Sequence, residues 1–171
     1  MIATTDSQIL FLEKDLWELL NTIPDPEVPA ISIVELGVVR EIVVNGDSVT
    51  VSITPTYSGC PALKMMEEQV LAKLESIGVK NPSLKLVFKP AWTTDWLSES
   101  TKEKLKNYGI APPPKITAVY LLPMNRNKEP LQCPYCDSLN NRLTSQFGST
   151  ACKSLYFCNQ CLQPFEHFKC H

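Results

Sequence analysis

The stretch VVREIVVNGDSVTVSITPTYSGCPALKMMEEQVLAKLESIG, residues 38–78, decides how the first part of the chain folds. Two β-branched runs, 38–44 and 48–54, flank an Asn-Gly turn signal followed by Asp47, and such a pair reads as a β-hairpin. In the second run Val49, Val51 and Ile53 alternate with Thr50, Ser52 and Thr54. Alternate strand residues point to opposite faces, so one face is expected to be buried and the other polar or edge-like. Residues 61–77 supply a cover: Leu63, Met66, Val70, Leu74 and Ile77 recur at helical spacing, and Gly78 ends the segment as a left-handed cap.

Upstream, SQILFLEKDLWELL (7–20) places Ile9, Leu12, Leu16, Leu19 and Leu20 on one helical stripe, with Asp6 or Ser7 available as a cap. Pro24, Pro26 and Pro29 then force an ordered turn. Downstream, LKLVF (84–88) reads as a third strand, and residues 93–109 add a short polar helix ending at Gly109. From residue 110 to 130 the chain carries five of its fourteen prolines around one candidate strand, ITAVYLL (116–122). The expected fold class is α+β: a small mixed sheet with packed helices, ordered helix, hairpin, helix, strand, helix, followed by a Cys-rich, zinc-ribbon-like module. The expected domains are 1–110, a Pro-rich linker or connecting strand at 111–130, and a metal-binding module at 131–171.

Charge separates the same two parts. Residues 1–110 carry 15 acidic and 10 basic side chains, whereas residues 111–171 carry 3 and 6. Neither part has the cluster of cations that a phosphate-binding surface needs, so nucleic acid is not an expected partner. No apolar stretch approaches the ~20 residues of a bilayer span, and the N-terminus lacks the pattern of a secretory signal, so a cytoplasmic location is expected. In that compartment seven cysteines point to metal or thiol chemistry rather than disulfides.

Six of the seven lie in the tail. CPYC (133–136) and CNQC (158–161) are separated by 21 residues. Each turn offers two thiolates to one side of an ion, and two such knuckles complete a tetrahedral site, so Cys133, Cys136, Cys158 and Cys161 are expected to hold metal. Zinc is the expected ion, with iron also compatible with four sulfurs. A tail of this length with few large aliphatics builds little core, which makes the metal a source of folding free energy. Cys152, Cys170, His171 and His167 form a candidate second metal site, against the alternative of a small buried cysteine and a solvated end.

Two stretches of the first part carry a resemblance. DPEVPAISIVELGVV (25–39) and TPTYSGCP (54–61) resemble the iron-sulfur assembly factors of the SufT-like family, with Asp25, Pro26, Glu27, Pro29, Ile33, Val34, Leu36, Gly37, Gly59, Cys60 and Pro61 at the motif positions. The chain departs from the motif only in the threonine interval, where Thr56 is followed by Tyr57 and Ser58. With the tail sequences FGSTACKSLYFC and FKCH, nearly the whole chain resembles the D-type subunits of phenylacetyl-CoA epoxidase systems. The resemblance implies an accessory, non-catalytic subunit in phenylacetate degradation, whose partners are the di-iron oxygenase subunits and the flavin and iron-sulfur reductase. It implies a role in maturing one of those metal centres, with iron or an iron-sulfur cluster carried transiently.

The residues make that role chemically reasonable. With Pro61 as the first helical residue, Cys60 would stand at an N-cap, where the helix dipole favours a thiolate. Thr54, Thr56 and Ser58 would donate hydrogen bonds to a bound sulfur species. One cysteine supplies one ligand where a cluster needs about four, so a homodimer or a client must complete the set. Asp25 and Glu27 read as turn formers. Trp92 and Trp96 either line the surface beside Cys60 or complete the core. The alternatives are a structural adaptor whose zinc-stabilised tail docks to the oxygenase components, and a thiol enzyme. The second is disfavoured by the lack of a recognisable catalytic constellation or phosphate loop.

Overall fold

The computed structural model describes residues 12–57, 59–113 and 131–169. The chain divides into two compact units: one comprises the chain up to Pro55 together with Pro61–Ala91, the other Thr56–Cys60 together with the chain from Trp92 onward.

In the first unit α1 (Glu13–Leu20) precedes the hairpin β1 (Val39–Asn45) and β2 (Ser48–Ile53), followed by α2 (Leu63–Ser76) and β3 (Asn81–Leu86). The sheet order is β1-β2-β3, with β1 antiparallel and β3 parallel to β2. Parallel neighbours need a long crossover, and α2 provides it. Its Met66, Val70 and Leu74 are buried, as are Val49, Val51 and Ile53 of β2. Burying each such side chain contributes roughly 1.5–3 kcal/mol, which accounts for the hairpin and the helix forming together.

Local details differ from the sequence expectation for physical reasons. The hairpin turns on Gly46-Asp47, with Asn45 still paired to Ser48, because Gly46 takes the positive φ of +59°. β2 is the central strand, so Ser52 and Thr54 are buried rather than edge-like. β3 begins at Asn81, three residues before the expected start, and accommodates Pro82 because its outer edge is unpaired within this sheet. In α1 Leu16 and Leu20 are buried, but Leu12 has extended backbone at the N-cap and is exposed. Asp6, Ser7 and Ile9 lie outside the described residues.

The segment DPEVPAISIVELG between α1 and β1 is bonded to itself. The Asp25 carboxylate accepts the Glu27 and Val28 amides at 3.0 and 2.7 Å. Ser32 and Glu35 exchange reciprocal bonds of 3.0 Å, each side chain accepting the other's amide, as in a capping box. Gly37 then closes the turn at φ +76°.

The second unit contains a 3-10 turn (Thr94–Trp96), α3 (Glu99–Asn107) and strands β4 (Ile110–Ala111), β5 (Asn141–Ser145), β6 (Lys153–Cys158) and β7 (Pro164–Phe168), in sheet order β4-β7-β6-β5. Ser98 caps α3 by accepting the Thr101 amide, and Gly109 ends it at φ +88°. The division after Ala91 precedes the boundary expected near residue 110, because α3 and β4 are bonded into the ribbon. Lys106 pairs with Asp137, β4 pairs with β7, and the His167 Nδ1 lies 3.2 Å from the Ala111 carbonyl. The candidate strand 116–122 lies outside the described residues.

Candidate metal centre and the Cys60 loop

The two CxxC turns are built alike. In the first, the Cys133 amide donates to the Ser138 carbonyl at 3.0 Å and the Asp137 amide donates back to Cys133 at 2.9 Å. In the second, Cys158 donates to Gln163 at 2.9 Å and Leu162 donates back to Cys158 at 3.0 Å. The residue after each second cysteine is left-handed, with φ +58° at Asp137 and +60° at Leu162. This reversal aims both sulfurs of each turn at one point.

All four sulfurs lie within 4.8 Å of one another. Cys133 to Cys161 and Cys136 to Cys158 are 3.6 Å apart. A zinc ion with Zn–S bonds of about 2.3 Å has tetrahedral S···S edges of about 3.8 Å, whereas a disulfide needs about 2.05 Å. The donor set therefore fits a four-coordinate thiophilic ion. Cys133 and Cys158 are fully buried and pack with Ala111, Leu131 and Phe165, so the ligands are part of the core.

Electrostatics sharpens the fit. The Cys161 amide, followed by that of Gln160, pulls the Cys158 thiol down to about 6 despite burial. Burial pushes Cys161 up to about 12 and also raises Cys133. Four thiolates cannot coexist there without a cation, and a divalent ion would expel the remaining protons on binding.

Among the described residues, Cys152 and His167 of the candidate second site join no such cluster. Cys152 is buried, with its sulfur 3.0 Å from the Thr150 hydroxyl. His167 is buried against Ala111 and edge-on to Tyr156. Among the described residues the only grouping of three or more candidate ligands is the four-cysteine set. Cys170 and His171 lie outside the described residues.

Cys60 is half-buried in a turn closed by its amide on the Tyr57 carbonyl at 3.2 Å. The N-cap expectation is corrected here: Ala62 is the N-cap, its carbonyl accepting the Met66 amide at 2.9 Å, and Cys60 stands two residues earlier. Thr56 is buried, Ser58 lies outside the described residues, and the Thr54 hydroxyl is buried with no hydrogen-bond partner. Trp92 is a core residue of the second unit, its ring 5.9 Å from that of Phe168.

Sequence reading missed several residues that hold the ribbon. Lys153, buried in β6, pairs with Glu166 of β7 at 2.9 Å. Glu166 also accepts the Ser149 amide. Against the cost of burial, that bond and Lys153 hold the Glu166 carboxyl below its ordinary pKa, so an ionised carboxylate fixes the β5–β6 loop. A Cβ on Gly148 would lie 2.6 Å from the Glu166 oxygen, so a side chain there would push the carboxylate off its partners. The left-handed Asp137 and Leu162 were findable, because each follows a CxxC turn.

Comparison with known proteins places the motifs. A family model described as iron-sulfur cluster assembly protein matches residues 13–81, and one described as PaaD zinc beta ribbon domain matches residues 122–169. The chain is 41% identical over 156 residues to an Escherichia coli (strain K12) protein whose provisional name is that of the D-type subunit of 1,2-phenylacetyl-CoA epoxidase, covering 91% of this chain and 92% of that one. It is 36% identical over 102 residues to the Fe-S protein maturation auxiliary factor of Porphyromonas gingivalis, covering 58% of this chain and 96% of that one. The crystal structure of a DUF59 domain from Bacillus anthracis aligns with TM-score 0.51 and 26% identity over 54% of this chain and 90% of that one.

Proposed function

Since the chain belongs to the family of D-type subunits of 1,2-phenylacetyl-CoA epoxidase, we propose that it is a non-catalytic accessory factor that helps mature an iron or iron-sulfur centre. The client is the oxygenase or the reductase of the epoxidase system in phenylacetate degradation. The observation that carries this reading is one relative matched over 91% of the chain, together with family models over residues 13–81, which include Cys60, and 122–169, which include the four ribbon cysteines.

In this reading the two sets of sulfur divide the work. Cys133, Cys136, Cys158 and Cys161 hold zinc, which cross-links the two knuckles and takes no part in transfer. Cys60 offers one thiolate to the cargo, iron or a cluster, and the Thr56 and Ser58 hydroxyls donate to its sulfur or its ligands. The remaining cargo ligands come from the client or a second copy of the chain, so the cargo is shared and releasable.

The experiment is Cys60→Ser in cells co-expressing the oxygenase and reductase. The expected result is low iron content and low epoxidase activity in the client; full loading and full activity would overturn the assignment. The second reading is a structural adaptor, and one observation favours it: Cys60 lies ahead of the α2 cap, outside the helix-end position that would activate its thiol. An adaptor would leave client iron unchanged in Cys60→Ser while ribbon variants abolished assembly.

A further inference from the structure

Resting on the reading that the four tail cysteines hold zinc, we infer that the ribbon unit positions Cys60, so that metal occupancy of the ribbon sets the thiol's reactivity. The first observation is the membership of the loop. Thr56–Cys60 lies between Pro55 and Pro61, yet groups with the second unit while the preceding strand and following helix belong to the first. Thr56 is only 8% exposed, so the loop is anchored at its first residue.

The second observation is how that unit is held. Trp92, Thr94 and Leu97 are buried in it, and Trp92 packs on Phe168 of β7. α3 is tied to the first knuckle by Lys106 and Asp137, and Gly109 faces the Tyr135 ring closely enough that a Cβ would meet its hydroxyl at 2.7 Å. Third, Cys133 and Cys158 are core residues as well as metal ligands. A unit whose core includes metal ligands draws folding free energy from the metal, so losing the ion loosens the unit and the Cys60 loop with it. The first unit has its own buried layer of Val49, Val51, Ile53, Val70 and Leu74, which contains no metal ligand.

The test is site-resolved alkylation of the full chain by iodoacetamide, read peptide by peptide, before chelation, after removal of zinc and after zinc is restored. Hydrogen exchange of β1 and β2 is followed in parallel. Cys60 alkylation should accelerate about tenfold on zinc removal and return on restoration, with β1 and β2 still protected. Lys106→Ala, which touches no metal ligand, should accelerate Cys60 about twofold to fivefold with zinc still bound. The inference is overturned if chelation exposes the four ribbon cysteines while Cys60 keeps its rate, or if β1 and β2 lose protection along with Cys60. Ribbon cysteines that alkylate freely before chelation would instead defeat the zinc reading beneath it.

Discussion

Leu162 gives a prediction with an inverted sign. It follows the second CxxC turn at φ +60° and the residue is 68% exposed. Leu162→Ala removes the third of the side chain that is buried; full burial of a leucine is worth roughly 1.5–3 kcal/mol, so the loss is about 0.5–1 kcal/mol. The left-handed backbone strain remains in the alanine variant, about 1–2 kcal/mol for a residue with a Cβ. Leu162→Gly relieves that strain and costs about 0.5–1 kcal/mol of extra chain entropy. Glycine should therefore be more stable than alanine here by about 0.5–1 kcal/mol, whereas within a helix it is weaker by a similar amount. The assay is the urea midpoint of the zinc-loaded protein, with zinc affinity by chelator competition as a second readout. An alanine variant that matches or exceeds the glycine variant in both would refute the reasoning.

Three further outcomes follow from closely packed groups. Gly148→Ala should destabilise the second unit by about 1–3 kcal/mol, read by thermal melting, because the new methyl group meets the Glu166 carboxylate. Thr54→Val should stabilise the first unit by about 1 kcal/mol in urea unfolding, since it removes a buried hydroxyl that lacks a partner. His167 is held below its ordinary pKa by burial, against the opposing pull of the Ala111 carbonyl. The unfolded chain thus takes up the proton first, and the stability that neutral His167 contributes is complete above about pH 6.5 and declines as pH falls below it. The stability gap between wild type and His167→Asn should narrow on acidification from about pH 7 to 5; a widening gap would contradict the burial argument.

Much of the fold is legible in the sequence because it is local. The β-branched runs around Gly46, the helical spacing from Leu63 to Leu74 and the paired CxxC turns are short-range patterns, and each forms close to its expected place. The start of α2 departs from expectation: Pro61 suits a first helical position, yet Ala62 is the N-cap and Pro61 stands ahead of the helix. The unit boundary is not legible, since the polar helix α3 gives no sign that Lys106 reaches Asp137 or that Ile110 pairs with Glu166. The same holds for Lys153 and Glu166, whose pairing needs the register of β6 against β7.

The central claim is the division of labour between Cys60 and the four ribbon cysteines. Its most direct test is metal analysis of anaerobically purified wild type, Cys60→Ser and Cys133→Ser. The account predicts about one zinc per chain in wild type and in Cys60→Ser, zinc loss in Cys133→Ser, and iron or cluster binding that disappears with Cys60. A folded ribbon without metal, or iron retained in full by Cys60→Ser, would contradict it.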